Sequence, residues 1–156
     1  MGKDVGMGSD VTVRAGVNDI DAFDFATTTA TIAPVLSSAR VAIVTTAGLR
    51  ADGVGTWSDG QGFVTLDAQA RNLVLAHASV NFDRVGLMAD INVAYPVDRL
   101  AELAERGTIG SVATNHLSFM GAQPDHNLTT LRLDTGPAAA KQLLDDGVDV
   151  VLLTPV

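Results

Sequence analysis

The chain has 156 residues, 47% of them hydrophobic, enough for one ordinary domain with a buried core and too apolar for a wholly disordered chain. Its formal net charge is −8 and it has no cluster of Lys or Arg, so nucleic acid and anionic membrane are poor partners, since both need a basic patch to displace counterions. It contains no cysteine, which excludes disulfides, thiolate zinc sites and cysteine nucleophiles among these residues. No apolar stretch is long enough to span a bilayer and the N-terminus has no signal-peptide core, so a cytoplasmic location is the expectation.

Residues 1–35 are the least decisive. "DVTVRAGV" suits a short strand and "FATTTATIAP" lacks periodicity, which together suggest an extended arm or peripheral hairpin. The grammar changes from Arg40. "RVAIVTTAG" (Arg40 to Gly48) is a β-branched apolar run closed by small residues, the pattern of a central parallel strand. "LRADGVGTWSDGQG" is a Gly/Asp loop, "FVTLD" a short strand, and "NLVLAHASV" an apolar run ending in the polar cluster "HASVNFDR".

"INVAYP" (Ile91 to Pro96) reads as a strand, followed by a helix over "VDRLAELAERG". Its apolar face is Val97, Leu100, Ala101 and Ala104, Glu102 and Arg106 form an outer i,i+4 pair, and Gly107 closes it. "TIGSVA" is read as a strand and "TNHLSFMGAQPDHN" as a loop. In "DTGPAAAKQLLDDG", Asp134 or Thr135 caps a helix, Pro137 sits in its first turn and Gly147 ends it. The last residues, "VDVVLLTPV", have the look of an interior parallel strand, so the chain is expected to be interrupted there. Helices alternating with apolar strands give an α/β fold, a three-layer arrangement with a mainly parallel sheet, helices on both faces, and its last strands expected to be missing.

Ligands of open α/β sheets collect beyond the carboxyl ends of strands. Four such ends are rich in small or polar residues: Thr45-Thr46-Ala47-Gly48, His77 to Arg84, Asn115 to Gly121, and Thr154-Pro155-Val156. "HASVNFDR" brings an imidazole, hydroxyl, amide, carboxylate and guanidinium into eight residues, although a helix start capped by Asn81 or Asp83 explains it as well. Phe119 and Met120 suit packing, Trp57 and Phe63 either close over a ligand or anchor their loop, and Asp145, Asp146 and Asp149 suit a solvated helix end. No G-x-S-x-G, G-x-G-x-x-G or Walker A pattern occurs. The histidines, His77, His116 and His126, show no HExxH pattern or close helical pairing, so no metal site is expected.

Together "RVAIVTTAGL", "SVNFDR", "DINVAYPVDRLAELAERGTIGSVA", "HLSFMGA" and "DGVDVVLLTPV" resemble the selenoprotein B family of glycine, sarcosine and betaine reductases, which includes the D-proline reductase selenoprotein subunit. The resemblance spans roughly residues 36–156 and lies in the number and order of blocks. It implies a redox selenocysteine or cysteine shortly after the strand matching "VDVVLLTPV", hence beyond Val156. On that reading a UGA codon read as stop, or less readily a processing site, ends the chain, and without the nucleophile the chain is expected to be inactive.

The resemblance implies reductive cleavage of a C–N bond alpha to a carboxylate. It implies no cofactor in this chain itself, a pyruvoyl group on a partner subunit, and a small amine or amino-acid substrate: glycine, sarcosine, betaine, D-proline or a relative. His77 or His116 is then expected to protonate the leaving amine, and Arg84 to hold a carboxylate or pair with Asp83 or Asp90. Thr45, Thr46, Gly48, Ser79, Asn81, Asp83, Ser118 and Thr154 are expected to line the pocket. The alternative is a non-catalytic α/β protein that binds a small carboxylate or serves in assembly. On either reading, an unpaired sheet edge favours a homo-oligomer.

Overall fold

β1 (Arg40–Thr45) is the axis of the structure, a computed structural model that describes residues 30–53, 61–79, 82–123 and 128–156, together with Ala15. The chain divides into two compact units, Met1–Ile32 and Ala33–Val156, and the sheet belongs to the second. The strand and arm expected before residue 30, Trp57, Asn81 and His126 lie outside the described residues.

One edge of β1 carries two short strands in succession. β5 (Ser111–Val112) pairs in parallel at Arg40↔Ser111 and Val41↔Val112, and β6 (Asn115–Phe119) at Val44↔Leu117 and Thr45↔Ser118. They act as one strand broken at Ala113–Thr114. At the break, Ala113 N–H still donates to Val41 O (2.8 Å), whereas Thr114 O turns away to accept Ala68 N–H (2.9 Å). β7 (Val150–Thr154) pairs along five residues with the other edge of β1, and β3 (Phe63–Asp67) runs antiparallel to β6. A second, two-stranded sheet joins β2 (Leu49–Ala51) and β4 (Leu73–Leu75).

Helices cover both faces, as expected. α1 (Val85–Ala89) and α2 (Val97–Glu105) bury Leu87, Val97 and Leu100 in a core with Val41, Ile43, Leu66 and Tyr95. On the opposite face α3 (Gly136–Asp145) buries Ala139 and Leu143 against Ala42, Ala113 and Leu117. Complete burial of an Ile or Leu such as Ile43 or Leu117 contributes roughly 2 kcal/mol. Gly107 and Gly147, at φ 69° and 71°, follow α2 and α3 in the left-handed conformation that ends helices.

Several local expectations change. "INVAYP" is not a strand: Asp90 Oδ1 accepts Asn92 N–H (2.9 Å) and winds Ile91–Val93 into a 3-10 turn that swings Tyr95 into the core. "TIGSVA" supplies only the two residues of β5. "NHLSF" is a strand, not a loop, because β1 and β3 pair with both of its edges. The outer pair on α2 is Arg99–Glu102 (2.8 Å), and Ala101 is exposed. The helix before β7 starts earlier than Asp134, through a π-helical turn over Leu131–Thr135. Asp145 pairs with Lys141 on the surface, but Asp146 accepts Asn115 Nδ2–H (3.0 Å) and Asp149 accepts Arg40 N–H (2.8 Å), tying both to the sheet.

Candidate functional site

Beyond Thr45 the chain must turn sharply, and Gly48 makes the turn at φ 64°. A Cβ there would lie 3.1 Å from both His77 Cα and His77 N, and 3.1 Å from Met120 Cε. Gly48 N–H donates to Phe119 O and Gly48 O accepts Ala76 N–H, both at 2.9 Å. The glycine thereby locks the end of β1 to the His77 segment and to the end of β6. Met120 closes the junction, its sulfur accepting Ala78 N–H at 3.3 Å.

The end of β7 reaches the same place. Thr46 Oγ1 donates to Val156 O (3.2 Å) and accepts Val156 N–H (2.9 Å), and Gly121 packs beneath, where a Cβ would meet Thr46 O and Val156 O at 2.9 Å. Thr45 Oγ1 donates to Thr154 O (3.4 Å) and accepts Ala47 N–H (3.2 Å), while Thr154 Oγ1 donates to Ala94 O (2.8 Å). The four segments singled out from the sequence thus converge at one end of the sheet.

His77 is the titratable group at their centre. Its ring stacks on Phe82 (4.2 Å between centroids, 23°), and Nδ1 accepts Ser79 N–H at 3.3 Å. In the neutral ring the proton therefore sits on Nε2, which is buried and meets no protein partner. Burial first, and then the Arg84 charge, hold the imidazole below the usual histidine range, so it is neutral at pH 7.

Arg84 does not point its charge into open space. Nη2 donates to His77 O and Ser79 O (2.9 Å each) and Nη1 to Phe82 O (3.1 Å), with the guanidinium 5.9 Å from the Phe82 ring centroid. It is a clamp on the 77–84 loop, and it pairs with neither Asp83 nor Asp90. Asp83 Oδ1 accepts Val85 N–H (2.9 Å) at the start of α1. No sequence signal marks that clamp, because its acceptors are carbonyls.

His116 and Ser118 lie deeper, fully buried on the α2 face of the sheet. His116 Nδ1 accepts Ile43 N–H at 3.0 Å, and its ring meets Tyr95 edge-on (5.4 Å). Its acceptor role puts the proton on Nε2, which has no protein partner, and Ser118 Oγ has none either. Burial, opposed weakly by Asp67, pushes the His116 pKa down to about 4. It replaces a backbone carbonyl at the break between β5 and β6, and nothing in the sequence announces this. Among the described residues no three His, Cys, Asp or Glu side chains are grouped to hold a metal ion, and no helix is long and apolar enough to cross a membrane.

Residues 17–156 match the family model of the glycine/sarcosine/betaine reductase selenoprotein B. The chain is 33% identical over 123 residues to the D-proline reductase subunit gamma of Acetoanaerobium sticklandii, a match that covers 76% of this chain and 49% of that protein. The chain thus spans about half the length of the curated relative it matches. No solved structure matches it. With the model spanning both the carboxyl-end junction and the sheet that builds it, the chain belongs to the glycine/sarcosine/betaine reductase selenoprotein B family.

Proposed function

We propose that the junction of Gly48, His77, Met120 and Gly121 is the substrate end of a cytoplasmic reductase subunit that takes part in C–N cleavage alpha to a carboxylate. The substrate class is glycine, sarcosine, betaine, D-proline or a related amine. The observation that carries this reading is a buried, unpartnered His77 Nε2–H placed where three strand ends meet, in a chain of this family. A buried donor without a partner costs about 1–3 kcal/mol, and a ligand acceptor relieves that cost.

The fit to the family's chemistry is favourable in this chain's residues. Gly48 and Gly121 let the strand ends and the His77 segment pack closely against one another, and Arg84 holds the His77 loop in place without spending the ring's own donor. A pyruvoyl group on a partner subunit would supply the electron sink. The redox selenolate or thiolate comes from polypeptide outside these 156 residues, which hold no cysteine. His77, as a neutral imidazole, is assigned to donate a hydrogen bond from Nε2–H to the substrate. His116 keeps its Nδ1 on Ile43 and supports the sheet behind.

The exposed edge of β7 supports association with further reductase polypeptide. Val151 and Leu153 on one face and Leu152 on the other are exposed, Leu153 by 67%, in a strand whose composition suits burial on both faces. For the isolated chain, self-association through this edge is the expected result, with Leu153→Lys shifting sedimentation velocity profiles toward monomer. An unchanged profile would remove the edge from the account.

The site itself is tested by titrating the chain with glycine, sarcosine, betaine and D-proline while following backbone amide shifts. At least one should give saturable shifts at Thr46, Gly48, Ala78 and Gly121, weakened about tenfold or more in His77→Gln, the loss of roughly one buried hydrogen bond. Shifts confined to other parts of the sheet, or equal binding by the variant, would reject the assignment.

A further inference from the structure

A second cleft lies away from the junction, toward the start of β1. It is about 250 Å3 and runs between the segment after β3, the break between β5 and β6, and the N-terminus of α2. A smaller space of about 60 Å3 shares Arg71, Val97 and Asp98 with it and reaches Tyr95. Val112, in its wall, pairs with Val41 near the beginning of β1, whereas Gly48 and His77 lie past that strand's other end.

Two opposite charges, Arg71 and Asp98, face each other there as a loose, half-exposed ion pair, and each is also held by a neighbouring group. Arg71 Nη1 donates to Ala68 O (3.0 Å) and Ala70 O (3.1 Å), which orients the guanidinium. Asp98 Oδ2 accepts Asn92 Nδ2–H (3.1 Å), and Asp98 N–H donates to Asn92 Oδ1 (3.2 Å). The remaining Nη2 and Oδ1 stand 3.7 Å apart, too long for a hydrogen bond. Tyr95, fully buried, lines the smaller adjoining space rather than the cleft itself, and its hydroxyl has no protein partner. The opposite walls are apolar, from Val97, Ala101 and Val112.

We propose that this cleft binds a small aliphatic amino acid as its zwitterion, with the carboxylate on Arg71 Nη2 and the Tyr95 hydroxyl, the ammonium on Asp98, and the side chain against Val97 and Val112. An anion alone meets Asp98, and a cation alone meets Arg71. A zwitterion satisfies both and gives Tyr95 the acceptor it lacks. The site lies at the other end of β1 from the junction, so its ligand is a second small molecule rather than the one undergoing cleavage.

The test is titration of the full 156-residue chain with L-valine, followed by backbone amide shifts, with isobutylamine and isobutyrate as single-charge controls. L-Valine should give saturable shifts at Arg71, Tyr95 and Asp98, and each control should bind at least about tenfold more weakly. Tyr95→Phe, which keeps the ring and its packing, should weaken L-valine by about tenfold, Arg71→Gln should abolish the shifts, and His77→Gln should leave them unchanged. Absence of saturable shifts, binding of isobutyrate as tight as that of L-valine, or a Tyr95→Phe variant that binds like the parent would each overturn the proposal. Shifts that centre on Gly48 and Ala78 would overturn it too, and would leave the assignment of the junction intact.

Discussion

Replacing His116 with alanine is expected to destabilise the chain by about 4 kcal/mol, a large share of the 5–15 kcal/mol typical of a domain. Two losses combine. Ile43 N–H, in the most buried stretch of β1, loses its acceptor, which costs about 1–3 kcal/mol. The ring leaves a cavity beside Tyr95, which adds roughly 2 kcal/mol. His116→Gln, which keeps an acceptor, should recover part of this. Urea unfolding checks it: the midpoint should fall with the slope unchanged, and a loss below about 1 kcal/mol would mean that the bond to Ile43 carries no weight.

The same residue links stability to pH. Its folded pKa of about 4 lies below the ordinary 6.5, so the native state binds fewer protons than the unfolded state between those values. The stabilisation of the neutral ring is therefore fully present above pH 6.5 and is lost as the pH falls toward 4, by roughly 3 kcal/mol in all. The parent protein should lose stability more steeply than His116→Gln across that window. Parallel curves would contradict a buried, neutral imidazole.

Gly48→Ala is the second large effect, expected at about 3 kcal/mol. An L-residue at φ 64° costs roughly 1–2 kcal/mol, and a methyl pressed to 3.1 Å against His77 backbone and the Met120 methyl adds roughly 1–2 kcal/mol. Because His77 N and Cα are the atoms displaced, the variant should also shift the His77 imidazole resonances. Gly53→Ala gives the control: Gly53 has a similar φ of 79° but nothing within 4 Å of a Cβ, so only the backbone cost remains there. Equal losses in the two variants would show that the contact with His77 contributes nothing.

The amino-acid sequence by itself determined the elements whose signals are local. β1 and β7 are unbroken apolar runs and both form parallel strands, β1 buried and β7 at an exposed edge rather than in the interior position its composition suggests. α2 and α3 end at Gly107 and Gly147 because a left-handed residue after a helix strongly favours glycine. The order of these blocks also carried the family resemblance, and the position of the polar strand ends marked the segments that meet around Gly48.

Only the tertiary structure decided the rest. "NHLSF" looks like a loop because His116 and Ser118 are polar, and it becomes a strand because β1 and β3, distant in sequence, pair with both its edges. "INVAYP" looks like a strand, yet one carboxylate, Asp90, is enough to wind it the other way. His116 and Arg84 carry chemistry-bearing side chains, but their partners are backbone groups of Ile43, His77, Ser79 and Phe82. Hydropathy records how strongly a side chain prefers burial. It carries no information about which distant N–H or carbonyl will compensate a buried polar group, and that compensation exists only once the chain has folded.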